Sequence, residues 1–330
     1  MARVYHDEDV ELSAIGDETV AVVGYGNQGR SQALNLRDSG VEVIVGNVRD
    51  DSWDDAEDDG FDVYPMSEAT ARADIVTVLV PDEFQAEIFE ADIEPELDAG
   101  DAVLFSHGYN VYYEFIDVPD DVDVVMVAPK MIGPTVRDLF EQGEGVPAMV
   151  AVHQDATGRA MERTLAYARG IGATRAGAID STFEEETVLD LFGEQLMAGG
   201  SMAMIMMAYD VLTAEGYDPL TVLFNLYLSG EAVTESRLRA AEGLFDQLEN
   251  HSRTSQYGQL TKGLAMADEE TREAFEENVE EIRTGRFARE WAMEQQAGFP
   301  VFNKMWGRVE DHEINEIEEI ADEKLDFTLE

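Results

Sequence analysis

Residues 19–49, TVAVVGYGNQGRSQALNLRDSGVEVIVGNVR, constrain the fold more than any other stretch of the chain. They spell a strand, a glycine turn, a helix and a second strand. The apolar run 20–23 ends at Gly24, Gly26 and Gly29, which fit the G-x-G-x-x-G spacing. In that motif the first glycine turns the chain sharply, the second lets a pyrophosphate approach the backbone, and the third lets helix and sheet pack closely. A dinucleotide phosphate then sits at the positive end of the helix beginning near Gln28. Glycine turns also arise for purely structural reasons, so the context matters. Ala33, Leu34 and Leu36 give the helix an apolar face, Gly40 stops it, and Val41, Val43, Ile44 and Val45 form the next strand.

The same alternation continues to about residue 180. Segments 75–80, 102–105, 122–128 and 148–152 read as strands and 156–170 as a helix, which predicts a Rossmann-type doubly wound parallel sheet. From Phe183 onward convincing strands disappear, and apolar residues recur at helical spacing through 185–215, 220–249 and 269–284. The expected fold class is therefore α/β, with an N-terminal dinucleotide-binding domain over 1–182 and an all-α C-terminal domain over 183–330. Ser181 and Thr182 offer a helix N-cap at the boundary, with Glu184–Glu186 in the first turn.

A formal net charge of -49, spread along the chain, makes nucleic acid an unexpected partner. Self-repulsion on this scale destabilises a compact state at low salt and is screened at high salt, a lever halophiles use. Lysine is almost abandoned, surviving only at positions 130, 262, 304 and 324. A halophilic, cytoplasmic protein is the expectation, since no apolar run reads as a membrane span and no signal peptide opens the chain. The absence of cysteine excludes disulfides, thiolate metal sites and a cysteine nucleophile. Met197–Met207, methionine-rich at helical spacing, reads as adaptable core packing, and Trp291, Phe299 and Phe302 as packing of the last helices.

Four further segments carry chemistry. In VLDLFGEQLM, Asp190 and Glu194 are four residues apart and share a face of an otherwise apolar helix. Two carboxylates there repel and are desolvated unless a cation or protons neutralise them; with oxygen ligands only, the natural cation is Mg²⁺. The alternative is a solvated acidic face. SHGYN follows the strand 102–105 and places His107 at the C-terminal sheet edge, where open α/β sheets bind ligands, although a satisfied structural histidine fits there too. Lys130, in VAPKMIGP, ends the next strand and is placed to hold a substrate carboxylate or a cofactor phosphate. In GNVRDDSW, Arg49 and Ser52 suit an NADP 2′-phosphate, whereas Asp50 and Asp51 suit the free 2′-hydroxyl of NAD.

At these residues the chain resembles the short form of ketol-acid reductoisomerase, the branched-chain amino-acid enzyme also called acetohydroxyacid isomeroreductase. The matching segments are GYGNQG with QALNLRDSG, PDEFQ, SHGYN, MVAPK, GVPAMVAVHQDATG, GIGATRAG, FEEET, DLFGEQ, FAREW and AGFPVFN. The resemblance implies an NADP(H)-binding domain, with NAD(H) as an alternative coenzyme, and an intertwined helical domain whose active site a dimer partner completes. It implies two Mg²⁺ ions on 2-acetolactate or its ethyl homologue, an alkyl migration, and then hydride delivery to give a 2,3-dihydroxy acid. By matching motif, Gly24, Tyr25, Gly26, Asn27, Gln28, Arg49, Ser52, Asp82, Glu83, Phe84, Gln85 and Gly133 face the cofactor. His107 and Lys130 take the polar catalytic positions, Asp190 and Glu194 hold metal, and Ser252 binds substrate.

One departure bears on the reaction. The family supplies two further carboxylates, four residues apart on a later helix, for the second metal and for proton transfer. In direct register, Asn225 and Ser229 stand there, and neither replaces a carboxylate. Glu231 and Glu235 have the right spacing but require a local insertion and a compensating deletion. Besides a full reductoisomerase, the chain therefore admits a reductase of 2-oxo acids without alkyl migration, or a non-catalytic cofactor-binding homologue.

Overall fold

A computed structural model describes residues 1–325. The chain divides into two compact units, Met1–Leu189 and Asp190–Glu330.

The first unit is built on nine strands: β1 Val4–Tyr5, β2 Thr19–Val23, β3 Glu42–Gly46, β4 Val63–Tyr64, β5 Ile75–Val78, β6 Ala102–Phe105, β7 Asp123–Pro129, β8 Ala148–Gln154 and β9 Ala178–Asp180. They form one sheet in the order β1-β9-β8-β7-β6-β5-β2-β3-β4. From β4 to β7 all neighbours are parallel. Such strands are covered by helices on both faces, so β5 and β6 are apolar throughout or nearly so, rather than alternating. The side-chain alternation divides the core in two. Val20, Val22, Ile75, Leu104 and Val125 pack on one face with Leu36 and Tyr167, while Val23, Val76, Val103, Phe105 and Met126 pack on the other with Phe89 and Phe183. Strand β2 lies between β3 and β5, so the chain reverses its direction of travel across the sheet there. That switch point is where such sheets open a crevice for ligands.

The sheet is not wholly parallel as expected: β8 runs antiparallel to β7, and β1 antiparallel to β9. The cause is the connection after β7. The helix Gly133–Glu141 does not return the chain to the far edge: Pro129 pairs with Ala148, and Lys130 N–H donates to Pro147 carbonyl at 3.0 Å. Strand β8 thus re-enters from the edge at which β7 left, and only an antiparallel course is open to it.

In the second unit the described residues are helical, as expected. A small core of Tyr209, Val222 and Leu223 packs with Leu212, Leu226, Ile314 and Ile317. Trp291, Phe299 and Phe302 do cluster, with ring centroids 5.6 to 6.2 Å apart. Two expectations are corrected. The helical run Phe183–Ala214, 32 residues, is long and apolar enough by length and composition to cross a membrane, because it contains an 18-residue window with at most two charged residues. And Met197, Met202, Met204 and Met207 are exposed rather than packed in a core. Periodicity identifies an apolar face but not what covers it.

Candidate active site

The fingerprint turn shows three glycines with three distinct surroundings. Gly24 has φ +96°, and a Cβ there would lie 2.8 Å from the backbone of Leu79 and Val80, so both conformation and space require glycine. Gly29 packs so closely that a Cβ would overlap the Gly24 carbonyl. Gly26 meets nothing within 4 Å, which leaves an open approach to the backbone at the start of the helix Asn27–Asp38. These are the turn, the packing and the clearance that a dinucleotide pyrophosphate needs.

Other loops close on this turn. Gly133 lies against it so tightly that a Cβ would overlap the Asn27 carbonyl, and Gln28 Nε2 donates to Met131 carbonyl at 2.8 Å. On the β5 side, Asn110 Nδ2 donates to Asp82 carbonyl and to Gln85 Oε1, both at 3.0 Å. Gln85 Nε2 in turn donates to Val80 carbonyl at 2.9 Å and to Asp82 Oδ1 at 3.0 Å. Gln85 is buried and its amide is spent inside the loop, whereas Phe84 is exposed. Tyr25 contributes backbone to the turn; its ring is buried edge-on to Phe61, and its hydroxyl donates to Asp59 at 2.8 Å.

At the end of β3, Asp50 caps the helix Asp51–Asp58, accepting from Trp53 N–H at 3.2 Å and from Asn47 Nδ2 at 3.0 Å. The Arg49 guanidinium stacks 4.5 Å from the Trp53 ring centroid, and Ser52 lies in the first helical turn. The carboxylates and the cation thus share one loop, as its sequence indicates.

The polar centre lies where β6 and β7 end. Glu186, 1% exposed, opens the helix Phe183–Phe192 and turns its carboxylate back toward the sheet edge. Its Oε2 accepts from Gly108 N–H at 2.8 Å and lies 3.0 Å from His107 Nδ1; its Oε1 accepts from Lys130 Nζ at 2.6 Å. Gly108 allows this approach, because a Cβ would lie 2.7 Å from the Phe183 carbonyl. Burial pushes the Glu186 carboxyl up, but the His107 hydrogen bond and charge, then Lys130, outweigh it and hold the group at about 2. A buried anion held between these two groups fixes the His107 ring and the Lys130 ammonium, and favours the proton on His107 Nδ1, leaving Nε2 as the basic nitrogen.

His107 and Lys130, both expected from the sequence, are thereby brought together by Glu186, which the sequence does not single out. In sequence it is one of three adjacent glutamates that suit the first turn of a helix. The signal that identifies it is periodicity, since Glu186, Asp190 and Glu194 recur at four-residue steps along one helical run.

In the second unit, Asp190 precedes and Glu194 lies inside a π-helical stretch, Gly193–Ala198. Such widened turns are frequent at functional sites. Ser252 caps the helix Arg253–Gly258, accepting from Ser255 N–H at 3.3 Å. Asn225 falls in another π stretch, Phe224–Leu228, and Ser229 follows it. Gly230, at φ +75°, separates them from Glu231 and Glu235 on the helix Glu231–Glu242, where Glu235 accepts from Arg239 at 3.0 Å.

A doubly wound dinucleotide fold that brings a histidine, a lysine and a buried glutamate together at the C-terminal sheet edge has the layout of a dinucleotide-dependent oxidoreductase, and the family matches agree. Residues 14–177 match the family model of the acetohydroxy acid isomeroreductase NADPH-binding domain, and residues 183–325 that of the ketol-acid reductoisomerase C-terminal domain. The chain belongs to the ketol-acid reductoisomerase family. It is 44% identical to ketol-acid reductoisomerase (NADP(+)) of Methanopyrus kandleri over 99% of both chains. It is 46% identical to the protein of that name from Haloarcula marismortui, over 96% of this chain and 91% of the relative. Among solved structures, an NADH-preferring ketol-acid reductoisomerase from an uncultured archean superposes with a TM-score of 0.94 at 36% identity, covering 98% of this chain and 100% of that one.

Proposed function

We propose that the chain is an Mg²⁺-dependent ketol-acid reductoisomerase that converts 2-acetolactate-type substrates to 2,3-dihydroxy acids in branched-chain amino-acid biosynthesis. The observation that carries this reading is the buried Glu186 carboxylate holding His107 and Lys130 at the sheet edge beside the fingerprint turn. Residues 1–182 bind the coenzyme, and residues 183–330 supply metal, substrate and subunit contacts. NADPH is the coenzyme, with Arg49 and Ser52 for its 2′-phosphate; Asp50 and Asp51 give NADH a second route.

Asp190 and Glu194 fit a hard cation, since both offer oxygen and the chain has no thiolate to compete. Lewis-acid polarisation of the substrate oxygens is the chemistry Mg²⁺ supplies when bound there. The chain's own groups do the rest. Lys130 and His107, held in place by Glu186, orient the substrate and exchange its protons, while the glycine turn fixes the pyrophosphate and so the nicotinamide. The partners are a small-molecule substrate and a second copy of the chain, in a homodimer or larger homo-oligomer that covers the exposed methionines. The reading includes a cytoplasmic, salt-adapted protein with neither nucleic acid nor membrane as partner.

The test is NADPH oxidation by purified protein with Mg²⁺ and 2-acetolactate, run beside 3-hydroxy-3-methyl-2-oxobutanoate. Turnover of both is expected. Turnover of the second alone would identify a reductase without alkyl migration, the reading that Asn225 and Ser229 favour. Turnover of neither would overturn the proposal.

A further inference from the structure

Gln32 is fully buried in the middle of the helix Asn27–Asp38, next to Ala33 and close to Leu36. A buried amide leaves each unmet donor or acceptor costing about 1–3 kcal/mol, so its partners must be accounted for. Here all are met. Nε2 donates to Gln28 Oε1 and to Ser106 Oγ, both at 3.1 Å, and Oε1 accepts from Tyr167 hydroxyl at 2.8 Å. Gln28 passes the chain on, donating to Met131 carbonyl at 2.8 Å.

Tyr167 ties this network to the core, but its other three members are not ordinary core. Gln28 belongs to the glycine turn, Ser106 directly precedes His107, and Met131 directly follows Lys130. A methionine would fill the Gln32 position with similar volume and would cost the buried Tyr167 hydroxyl its acceptor, but the core does not call for the two bonds donated toward Gln28 and Ser106. We infer that Gln32 is a positioning residue that holds the dinucleotide turn in register with the loops bearing His107 and Lys130. It acts through Gln28 and Ser106, and it rests on the reductoisomerase reading, in which coenzyme and proton-handling groups must meet. Fully satisfied networks of this kind specify one arrangement of the groups they join.

The test uses the full chain with Gln32→Met, Ser106→Ala and the double variant. Gln32→Met should bind NADP⁺ within about threefold of the native chain yet lose about tenfold in kcat, the effect of small misplacement rather than lost binding. Ser106→Ala should lose a comparable factor, and the double variant no more than the larger single loss, since both cut one link. Independently of turnover, the His107 imidazole NMR signal should move on NADP⁺ addition in the native chain and move less than half as far in Gln32→Met. A kcat within twofold of native, losses that multiply, or an unchanged His107 response would overturn the inference. If the native chain shows no turnover, the catalytic reading falls, and the His107 response alone still decides the role of Gln32. Should Gln32→Met not fold, Ser106→Ala, which removes one hydroxyl at a half-buried position, decides it by the same signal.

Discussion

Lys130 and Glu186 meet at 2.6 Å although they lie 56 residues apart, one just past the end of β7 and the other in the first turns of the helix that opens at Phe183. The second carboxylate oxygen carries His107, so one anion sets the positions of two bases. Replacing Glu186 by Gln keeps the volume but removes the charge and one acceptor. For Glu186→Gln we expect kcat to fall by about 10²- to 10³-fold, the scale of proton-transfer and preorganised electrostatic effects, with NADPH affinity nearly unchanged. Steady-state kinetics beside coenzyme titration check this, and a kcat within fivefold of native would remove Glu186 from the machinery.

The same carboxylate makes a pH prediction. Its value falls from 4.5 to about 2 on folding, so between those values the unfolded chain binds the proton more readily. Glu186 therefore contributes stability that is complete above about pH 5 and is lost as pH falls toward 2, of order 3 kcal/mol in all. The other carboxylates titrate too, so the informative quantity is the difference between native chain and Glu186→Gln. Denaturant unfolding should show that difference at pH 7 and a smaller one at pH 3; a gap that widens on acidification contradicts the assigned ion pairs.

Gly26 and Gly29 separate binding from folding. A methyl group at Gly29 overlaps the Gly24 carbonyl, whereas one at Gly26 meets only open space. Gly29→Ala should lower stability by about 1–3 kcal/mol through overpacking. Gly26→Ala should leave the melting temperature unchanged and weaken NADPH binding at least about tenfold by blocking the pyrophosphate. Calorimetric melting and coenzyme titration distinguish the two, and equal stability losses would mean that Gly26 is packed.

What could be read before the fold was known follows from which forces leave a trace in sequence. The strand-turn-helix at 19–38 was legible because glycine spacing, apolar runs and a stop at Gly40 all agree. The direction of β8 was not, because an apolar run carries no polarity along the chain and the re-entry edge appears only in the pairing of Pro129 with Ala148 and of Lys130 with Pro147. Glu186 was hidden among three adjacent glutamates, since helix-dipole preference and a buried role draw on the same residue type. Likewise Gln32 reads as a neutral helix former, and only its partners disclose a function. The π stretch at Gly193–Ala198 leaves no compositional mark at all. The exposed methionines mark the limit of periodicity, which finds a face without identifying its neighbour.

Metal removal tests the acidic pair. Chelation should abolish turnover while NADPH binding persists, and Asp190→Asn should weaken Mg²⁺ binding at least about tenfold, because a hard cation depends on carboxylate charge. Titration calorimetry gives the stoichiometry as well. Two ions per chain would assign the second site to Glu231 and Glu235, and one ion would leave Asn225 and Ser229 in the family positions. Unchanged Mg²⁺ affinity in Asp190→Asn would exclude Asp190 as a ligand.

Finally, the charge of -49 sets the response to salt. At 0.1 M salt the Debye length is about 10 Å, so neighbouring carboxylates repel across most surface spacings; at 1 M it is about 3 Å and only contact pairs still interact. Folding brings these charges closer together than they are in the extended chain, so screening stabilises the folded state more than the unfolded one. The surface ion pairs, such as Arg72–Glu68 and Arg272–Glu276, weaken under the same screening. Exposed pairs of this kind contribute little, and arginine and lysine together number 22 against 71 aspartates and glutamates, so repulsion dominates. The melting temperature should therefore rise by several degrees between 0.1 and 2 M KCl, with most of the gain below 1 M. A flat or falling melting temperature over that range would mean that the acidic surface is not arranged for salt.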